Sequence, residues 1–449
     1  MARLSRKEAS TLFLGDIISL LVSLWLTLLI RYGTLPDWEI FQSHLIPFSF
    51  LFVVWIAVFF IAGVYEKQTV ILKRRIWNIL LNAEIVNAII AIIFFYFIPY
   101  FGITPKTNLF IYLIVSFGAV LLWRTWSPAV IGAGRKQNAI LIGSGEEVKE
   151  LLEEVNENFR YNIRFVSVLD LPEPENENSY KNLLQIFSKE RVEVIVLNLH
   201  DKRLESADPY LYQMIFSNVQ FADFHKLYED IFDRIPISLL SYRWFLENTS
   251  FAPKTAYDIM KRGMDVIISL FIGFISLFFY PFVFLAIKAE DGGPIFGYQD
   301  RIGKGGKIIR ICKFRSMQRM DNGKKEENRT NPVTKVGAFI RKFHIDELPQ
   351  LWNVFRGDIS LIGPRPELPS LASLYEKEIP YYNIRHLIKP GLSGWAQIYH
   401  DSPPKFGQAV DKTKAKLAYD LFYIKNRSLA IDIKVALRTI KELISKRGV

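Results

Sequence analysis

The sequence predicts an α/β membrane protein in three parts. Residues 1–130 form a four-helix transmembrane bundle and residues 131–250 a Rossmann-like parallel-sheet module. Residues 251–449 form an α/β domain carrying a helix hairpin, at about 261–288, that re-enters the membrane. Three observations lead there. Half of the 449 residues are hydrophobic and 14% are aromatic, too apolar for a disordered or an ordinary soluble chain and too long for one core. Four apolar runs precede residue 124, and beyond residue 136 short strand and helix signals replace them. Charge is also uneven: residues 1–250 hold 23 Lys/Arg against 26 Asp/Glu, whereas residues 251–449 hold 33 against 19. The C-terminal half therefore faces something anionic: nucleic acid, a phospholipid surface or a phosphorylated substrate. The single cysteine, Cys312, excludes a disulfide scaffold and a zinc-thiolate site.

The apolar runs cover residues 11–30, 45–64, 79–98 and 109–123, each suited to the ~30 Å hydrocarbon core. The first is too long for a cleaved signal peptide, and no small-residue cleavage site follows it. Arg3, Arg6 and Lys7 precede it; Lys67, Lys73, Arg74 and Arg75 separate the second and third runs; Arg124, Arg135 and Lys136 follow the fourth. The other two loops hold only Arg31 and Lys106, so both ends of the bundle should face the cytoplasm. Asp16 and Glu84 lie inside the runs. Intramembrane acids can mark a transport path, but two isolated ones more often pair with neighbouring helices or sit near headgroups.

In the middle module, residues 139–142 read as a buried strand, followed by Gly143-Ser-Gly145 and a helix over 146–155. A second strand at 163–169, a helix at 181–189 and a third strand at 192–197 complete a βαβαβ order, the signature of a parallel sheet. A dinucleotide fingerprint would need glycine where Val148 stands, and Glu146 and Glu147 occupy the helix start where a pyrophosphate would sit. A regulatory or assembly role is favoured over a nucleotide site. The polar loop at 172–178 carries no assignable chemistry.

Residues 264–287 carry no charge except Asp265 and are long enough to span a bilayer. Cations flank both ends, however: Lys254, Lys261 and Arg262 before, and Lys288, Arg301, Lys304 and Lys307 after. Pro281 removes a helix hydrogen bond inside the run, and Ser276 could satisfy groups freed there. These features favour a helix–kink–helix hairpin in one leaflet; the alternative is a fifth crossing.

The densest polar signals follow a strand-like stretch at 307–311. Asp346 and Glu347 place two carboxylates at one backbone position, and on a helix they diverge by ~100°, which suits separate roles. A carboxylate can attack phosphorus or hold Mg²⁺ together with substrate phosphates. Pro364-Arg365-Pro366 presents an arginine fork from a stiff turn. Taken alone, Asp346-Glu347 is more often an ordinary helix start with first-turn acids. His344 and His386 are treated as structural.

Five ordered blocks carry a resemblance: Lys261-Arg-Gly-Met-Asp265, Lys313-Phe-Arg-Ser-Met317, Asp346-Glu-Leu-Pro-Gln350, Gly363-Pro-Arg-Pro366 and Lys389-Pro-Gly391. With them, residues from about 256 to 449 resemble the bacterial sugar transferase family, the monotopic phosphoglycosyl transferases, and the N-terminal regions resemble its long members. The resemblance implies a UDP-sugar donor, a polyprenyl phosphate acceptor, UMP release and Mg²⁺ dependence, at the start of exopolysaccharide, capsule or O-antigen synthesis. It implies Asp346 as the nucleophile that holds a phosphosugar covalently. Glu347 is its partner for Mg²⁺ or proton handling, which makes Asp346 and Glu347 the metal-side residues. Arg341, Arg365 and Lys313 are expected near the phosphates, and Pro281 at the kink of a re-entrant helix. The catalytic domain is then expected on the cytoplasmic face of the bacterial inner membrane, in contact with lipid and not nucleic acid, with a homodimer as the candidate assembly. Two departures stand out: His344 replaces a commoner Ser or Thr, and residues 399–416 lack a Gly-Arg that often follows Gly-Trp-Ala-Gln. The competing readings are a scaffold that has lost catalysis, against which Asp346, Glu347 and Arg365 all stand intact, and a transporter, for which the crossings are few. The sugar is not specified by any of these blocks.

Overall fold

The computed structural model describes residues 3–62, 64–65, 73–98, 105–131, 136–158, 161, 163–170, 192–199, 201, 203, 211–212, 214, 216, 219–248, 254–317, 333–399 and 409–444. The chain divides into two compact units, Met1–Phe232 and Asp233–Val449.

The first unit opens with α1 (Arg3–Tyr32), α2 (Trp38–Ala62), α3 (Lys73–Phe97) and α4 (Pro105–Ile131). Each contains an apolar stretch long enough to cross a membrane, so the architecture fits a membrane-anchored protein. Leu20, Phe48, Trp55, Phe59 and Tyr112 fill the bundle, while Val53, Ile89, Phe110 and Ile114 face outward. Asp16 has a partner in this bundle. Its carboxylate accepts from Arg124 through Nε at 3.1 Å and through a second N–H, and from the Tyr65 hydroxyl at 2.7 Å. A carboxylate taken out of water needs such a countercharge, so Arg124, expected as a marker of the cytoplasmic end, serves instead as the internal partner of Asp16. The side chains of Arg3, Arg6, Lys7, Lys67, Lys73, Arg74, Arg75, Lys106 and Arg135 lie outside the described residues.

The same unit continues with β1 (Gln137–Ile142), α5 (Glu146–Glu157), β2 (Ile163–Leu169), β3 (Val194–Leu197), β4 (Gln220–Asp223) and α6 (Phe224–Phe232). The strands form a parallel sheet in the order β2-β1-β3-β4. All four residues of β3 are buried, which is why its sequence is continuously apolar. Val148, standing where a third glycine would be, is buried with Leu151 and Val155 on the inner face of α5. β4 was not expected: at the sheet edge it is only half-buried, so it carries no apolar run. The helix expected at 181–189 and the loop at 172–178 lie outside the described residues.

The second unit begins earlier than residue 251. Trp244 and Phe245 of α7 (Tyr242–Asn248) lie in one core with Tyr375, Tyr382, Trp395 and Phe422, and Trp395 donates to the Asp233 carbonyl at 2.9 Å. Two aromatic side chains buried in the C-terminal core bring residues 233–248 out of the module assigned to them by position. Next come α8 (Thr255–Leu277) and α9 (Tyr280–Asp291), bent by 55°. Pro281 stands in the first turn of α9, where no backbone N–H is required; it starts the second helix rather than interrupting one. The Ser276 hydroxyl donates to the Gly273 carbonyl at 2.6 Å, one turn before the bend. Phe271, Phe274, Phe278 and Phe282 around the bend are each at least 60% exposed.

The rest of the unit comprises β5 (Phe296–Ile302) antiparallel to β6 (Ile308–Phe314), α10 (Lys335–Lys342), α11 (Gln350–Arg356), β7 (Ser360–Ile362), α12 (Pro369–Glu378), β8 (Gly391–Ser393), α13 (Trp395–Tyr399), α14 (Ala409–Asn426) and α15 (Leu429–Ile444). β6 runs three residues beyond the expected strand, which places Lys313 inside it, opposite Gly297. β7 and β8 pair in parallel. A Cβ on Gly391 would lie 2.1 Å from the Gly363 nitrogen, so the two glycine blocks meet where only bare backbone fits. Residues 400–408 of the stretch that lacks Gly-Arg are outside the described residues.

Candidate active site

The polar end of α8 is held on the unit by three consecutive devices. Lys261 pairs with Asp432 at 2.9 Å. Arg262 donates to the Val354 and Phe355 carbonyls at 2.7 and 2.6 Å at the C-terminal end of α11, where the Val354 carbonyl also accepts from the Gly357 N–H at 3.0 Å. Asp265 accepts from the Ser360 hydroxyl at 3.1 Å and the Leu361 N–H at 3.0 Å. Val283 and Ile287 of α9 then pack with Phe314 and Ile340, and with Ile345 and Leu348 against them. The residues flanking Asp346 and Glu347 thereby share an apolar cluster with the second helix of the bent pair.

That turn is a single 3₁₀ turn, Ile345–Glu347, and not the start of an α-helix. With three residues per turn, neighbours diverge by ~120°, so the two acids part further than expected. His344, given no role from sequence, opens the turn with φ 56°; its carbonyl accepts from the Glu347 N–H at 3.1 Å. Such a left-handed residue is strained unless its surroundings impose it. Asp346 is buried, and no described residue donates a hydrogen bond to its carboxylate. Burial, and then the Glu347 charge, pushes the Asp346 carboxyl above the ordinary aspartate range, with Lys313, Arg341 and His344 pulling against them.

Glu347 faces an open cleft of about 260 Å³ shared with Lys313, Arg365, Arg301 and Gln350. One carboxylate oxygen accepts from Lys313 at 3.0 Å and from Arg365 at 3.2 Å. Burial would raise the Glu347 carboxyl, but Arg365 and then Lys313 outweigh it and hold it at about 2. The Arg365 backbone is itself gripped: buried Arg385 donates to its carbonyl at 2.9 Å and pairs with Asp420 at 2.9 Å, while Arg301 donates to the Pro366 carbonyl at 3.1 Å. Arg341 donates to the Ser316 hydroxyl at 2.8 Å and acts on Asp346 through its charge. Asn353 fixes the strand that bears Lys313, accepting from the Cys312 N–H at 3.1 Å and donating to the Arg310 carbonyl at 2.9 Å.

A cleft with this charge pattern next to a buried acid suits an anionic ligand such as a phosphate. A model of the family described as "Bacterial sugar transferase" matches residues 256–446. An Aeromonas hydrophila UDP-N-acetylgalactosamine-undecaprenyl-phosphate N-acetylgalactosaminephosphotransferase is 35% identical, over 58% of this chain and 60% of the relative. A Caulobacter vibrioides UDP-glucose:undecaprenyl-phosphate glucose-1-phosphate transferase is 37% identical, over 43% of this chain and 73% of the relative. The Rhizobium leguminosarum exopolysaccharide production protein PSS is 36% identical, over 42% of this chain and 98% of the relative. The chain belongs to the bacterial sugar transferase family. It spans less than two thirds of the Aeromonas relative's length.

Within this family member the structure brings Lys313, Glu347 and Arg365 into contact, places Arg341 on the Asp346 side, and leaves Pro281 in the helix pair beneath. Sequence reasoning gave no site role to Arg301, read only as a flanking cation, or to Arg385, each placed by a main-chain carbonyl together with a side chain, Gln299 and Asp420 respectively, that no local pattern announces, and Gln350 was quoted in a block but given no task. His386 Nδ1 lies 3.5 Å from Glu376, and burial lowers its imidazole to about 4. Among the described residues no three His, Cys, Asp or Glu side chains form a metal cluster. The adjacent carboxylates of Asp346 and Glu347 still suit Mg²⁺, which binds through one or two carboxylates plus substrate phosphates.

Proposed function

We propose that this protein transfers a sugar 1-phosphate from a UDP-sugar to a polyprenyl phosphate, undecaprenyl phosphate in the relatives' names, and releases UMP. The single observation that carries this reading is the seat of the carboxylate turn. Ile345 and Leu348, on either side of Asp346 and Glu347, pack against the apolar cluster that Val283 and Ile287 of α9 form with Phe314 and Ile340, so a lipid phosphate can reach the acids while its tail stays in hydrocarbon.

In the first step an Asp346 oxygen attacks the β-phosphorus of the donor. The bond to the oxygen bridging the two phosphates breaks, and UMP leaves with that electron pair. In the second step an oxygen of polyprenyl phosphate attacks the same phosphorus and the Asp346 carboxylate leaves. Lys313, Arg365 and Arg341 neutralise charge on the phosphoryl oxygens. Glu347, kept ionised by two cations, holds those cations in place. Mg²⁺, held by Asp346 and Glu347, would supply further charge neutralisation on the phosphates.

In this reading the bent helix pair is a re-entrant hairpin, its exposed phenylalanines in lipid and its cationic flanks at headgroups. The parallel-sheet module is Rossmann-like, and the acids lie on the cytoplasmic side of the inner membrane, where UDP-sugars are found. The test is UMP release by the purified full chain across a panel of UDP-sugars, with and without polyprenyl phosphate. Turnover with at least one donor is expected, along with a phosphosugar trapped on the protein that Asp346→Asn abolishes. No release from any donor, or full turnover by Asp346→Asn, overturns the proposal.

A further inference from the structure

The cleft beside Glu347 contains two side chains to which the reaction above gives no task, Arg301 and Gln350. Arg301 sits near the end of β5 with its fork aimed by two acceptors, the Pro366 carbonyl at 3.1 Å and Gln299 Oε1 at 2.6 Å. The remaining N–H groups of its five-donor guanidinium have no partner among the described residues. Gln350 stands one turn after Glu347, is 5% exposed, and its Nε2 finds no hydrogen-bond acceptor among the described residues. A buried amide donor is rarely left unpaired unless a ligand or water completes it.

The charges around the cleft also run in a definite order. Lys313 and Arg365 meet on one oxygen of Glu347, Arg301 donates to the carbonyl of Pro366, next to Arg365, and Asp346 does not line this cleft. Contacts therefore run Lys313, Glu347, Arg365, Arg301, and Arg341, bonded to Ser316 three residues past Lys313, belongs to the other end. A diphosphate laid along this order with one phosphorus at Asp346 turns its other phosphate towards Arg301.

We infer that Arg301 and Gln350 bind the leaving-group phosphate of the nucleotide donor, at the end of the cleft away from Asp346. This rests on the transferase reading and extends it. As the phosphorus–oxygen bond breaks, charge grows on the departing UMP phosphate, where a guanidinium and an amide donor stabilise it and later retain the product.

The test measures UMP binding by titration calorimetry on the full chain in lipid nanodiscs, alongside UDP-sugar turnover. Arg301→Gln should weaken UMP by at least ~10-fold, as expected for a lost charge-assisted hydrogen bond, and Arg301→Lys should recover part of the loss. Gln350→Leu should weaken UMP by a smaller factor. Arg341→Gln, at the other end, should slow turnover yet leave UMP affinity within about twofold. Wild-type UMP affinity in both Arg301→Gln and Gln350→Leu overturns the inference, as does Arg341→Gln weakening UMP as much as Arg301→Gln. If Arg301→Gln fails to fold because the Pro366 carbonyl loses its donor, Gln350→Leu, which removes no observed hydrogen bond, decides. A wild-type protein that turns over while UMP affinity ignores both variants sinks this inference alone. A wild-type protein that neither binds UMP nor releases it sinks the transferase reading as well.

Discussion

Two adjacent acids on a 3₁₀ turn carry opposite perturbations, and that is what fits them for different work. In the proposed reaction Asp346 must be ionised to attack, yet burial and its neighbour's charge hold its pKa above the ordinary aspartate value of ~3.9. The acid limb of the rate profile should therefore lie above that value. Glu347→Gln removes a neighbouring negative charge, lowers the Asp346 pKa and moves the limb to lower pH. Lys313→Gln removes a positive charge and moves it to higher pH. The pH dependence of the first-turnover UMP burst measures both, and limbs that stay put or move the other way would refute the assignment of Asp346. At this scale the acids and Arg365 were legible, because motif chemistry and a proline-locked turn are local. His344 was not: it opens the turn with a left-handed backbone, and reading its residue type alone gave it no task.

The bent pair α8 and α9 shows how an element becomes part of a site without contributing a reacting group. Lys261, Arg262 and Asp265 were read only as flanking charges and a motif, yet each holds the membrane element onto the acid-bearing fold. Arg262→Ala should lower stability by about 2–3 kcal/mol, the scale of charge-assisted hydrogen bonds lost to buried carbonyls. A fall in the thermal midpoint of the detergent-held protein tests this, and an unchanged midpoint would count against the docking role. The path of the pair through the bilayer is a separate question. Single cysteines at Lys261 and Lys288, in a Cys312-free background, should both label only from the cytoplasmic face. Labelling of the Lys288 position from outside would make the pair a fifth crossing and remove the acids from their donor.

At the scale of the whole molecule, the division after Phe232 matters more than the change from apolar to mixed sequence. The second unit has its own core, including Trp244 and Trp395. A relative such as the Rhizobium protein is matched over 98% of its length by 42% of this chain. Residues 233–449 expressed alone should therefore fold, partition to membranes and release UMP with the preferred donor. A soluble aggregate without activity would show that the first unit is needed for more than anchoring. All of the net basic excess belongs to residues 251–449, with 33 Lys/Arg against 19 Asp/Glu, so in the proposed reaction the attraction for anionic headgroups and phosphorylated substrates would lie on this unit.

The sequence by itself determined the four bilayer-length helices, the strands of the parallel sheet with continuous apolar runs, and the family blocks. Each of these depends on composition or order within a short window, because hydrogen bonding and hydrophobic burial at that range are set by neighbours along the chain. Only the tertiary structure decided what meets across long separations. Arg124 finds Asp16, Lys313 and Arg365 meet on one oxygen of Glu347, and Arg385 holds the Arg365 carbonyl. It also decided that residues 233–248 belong to the C-terminal core. Those pairings follow from how side chains fill a common interior and find partners for buried charge, and no local pattern encodes which distant residue will be there.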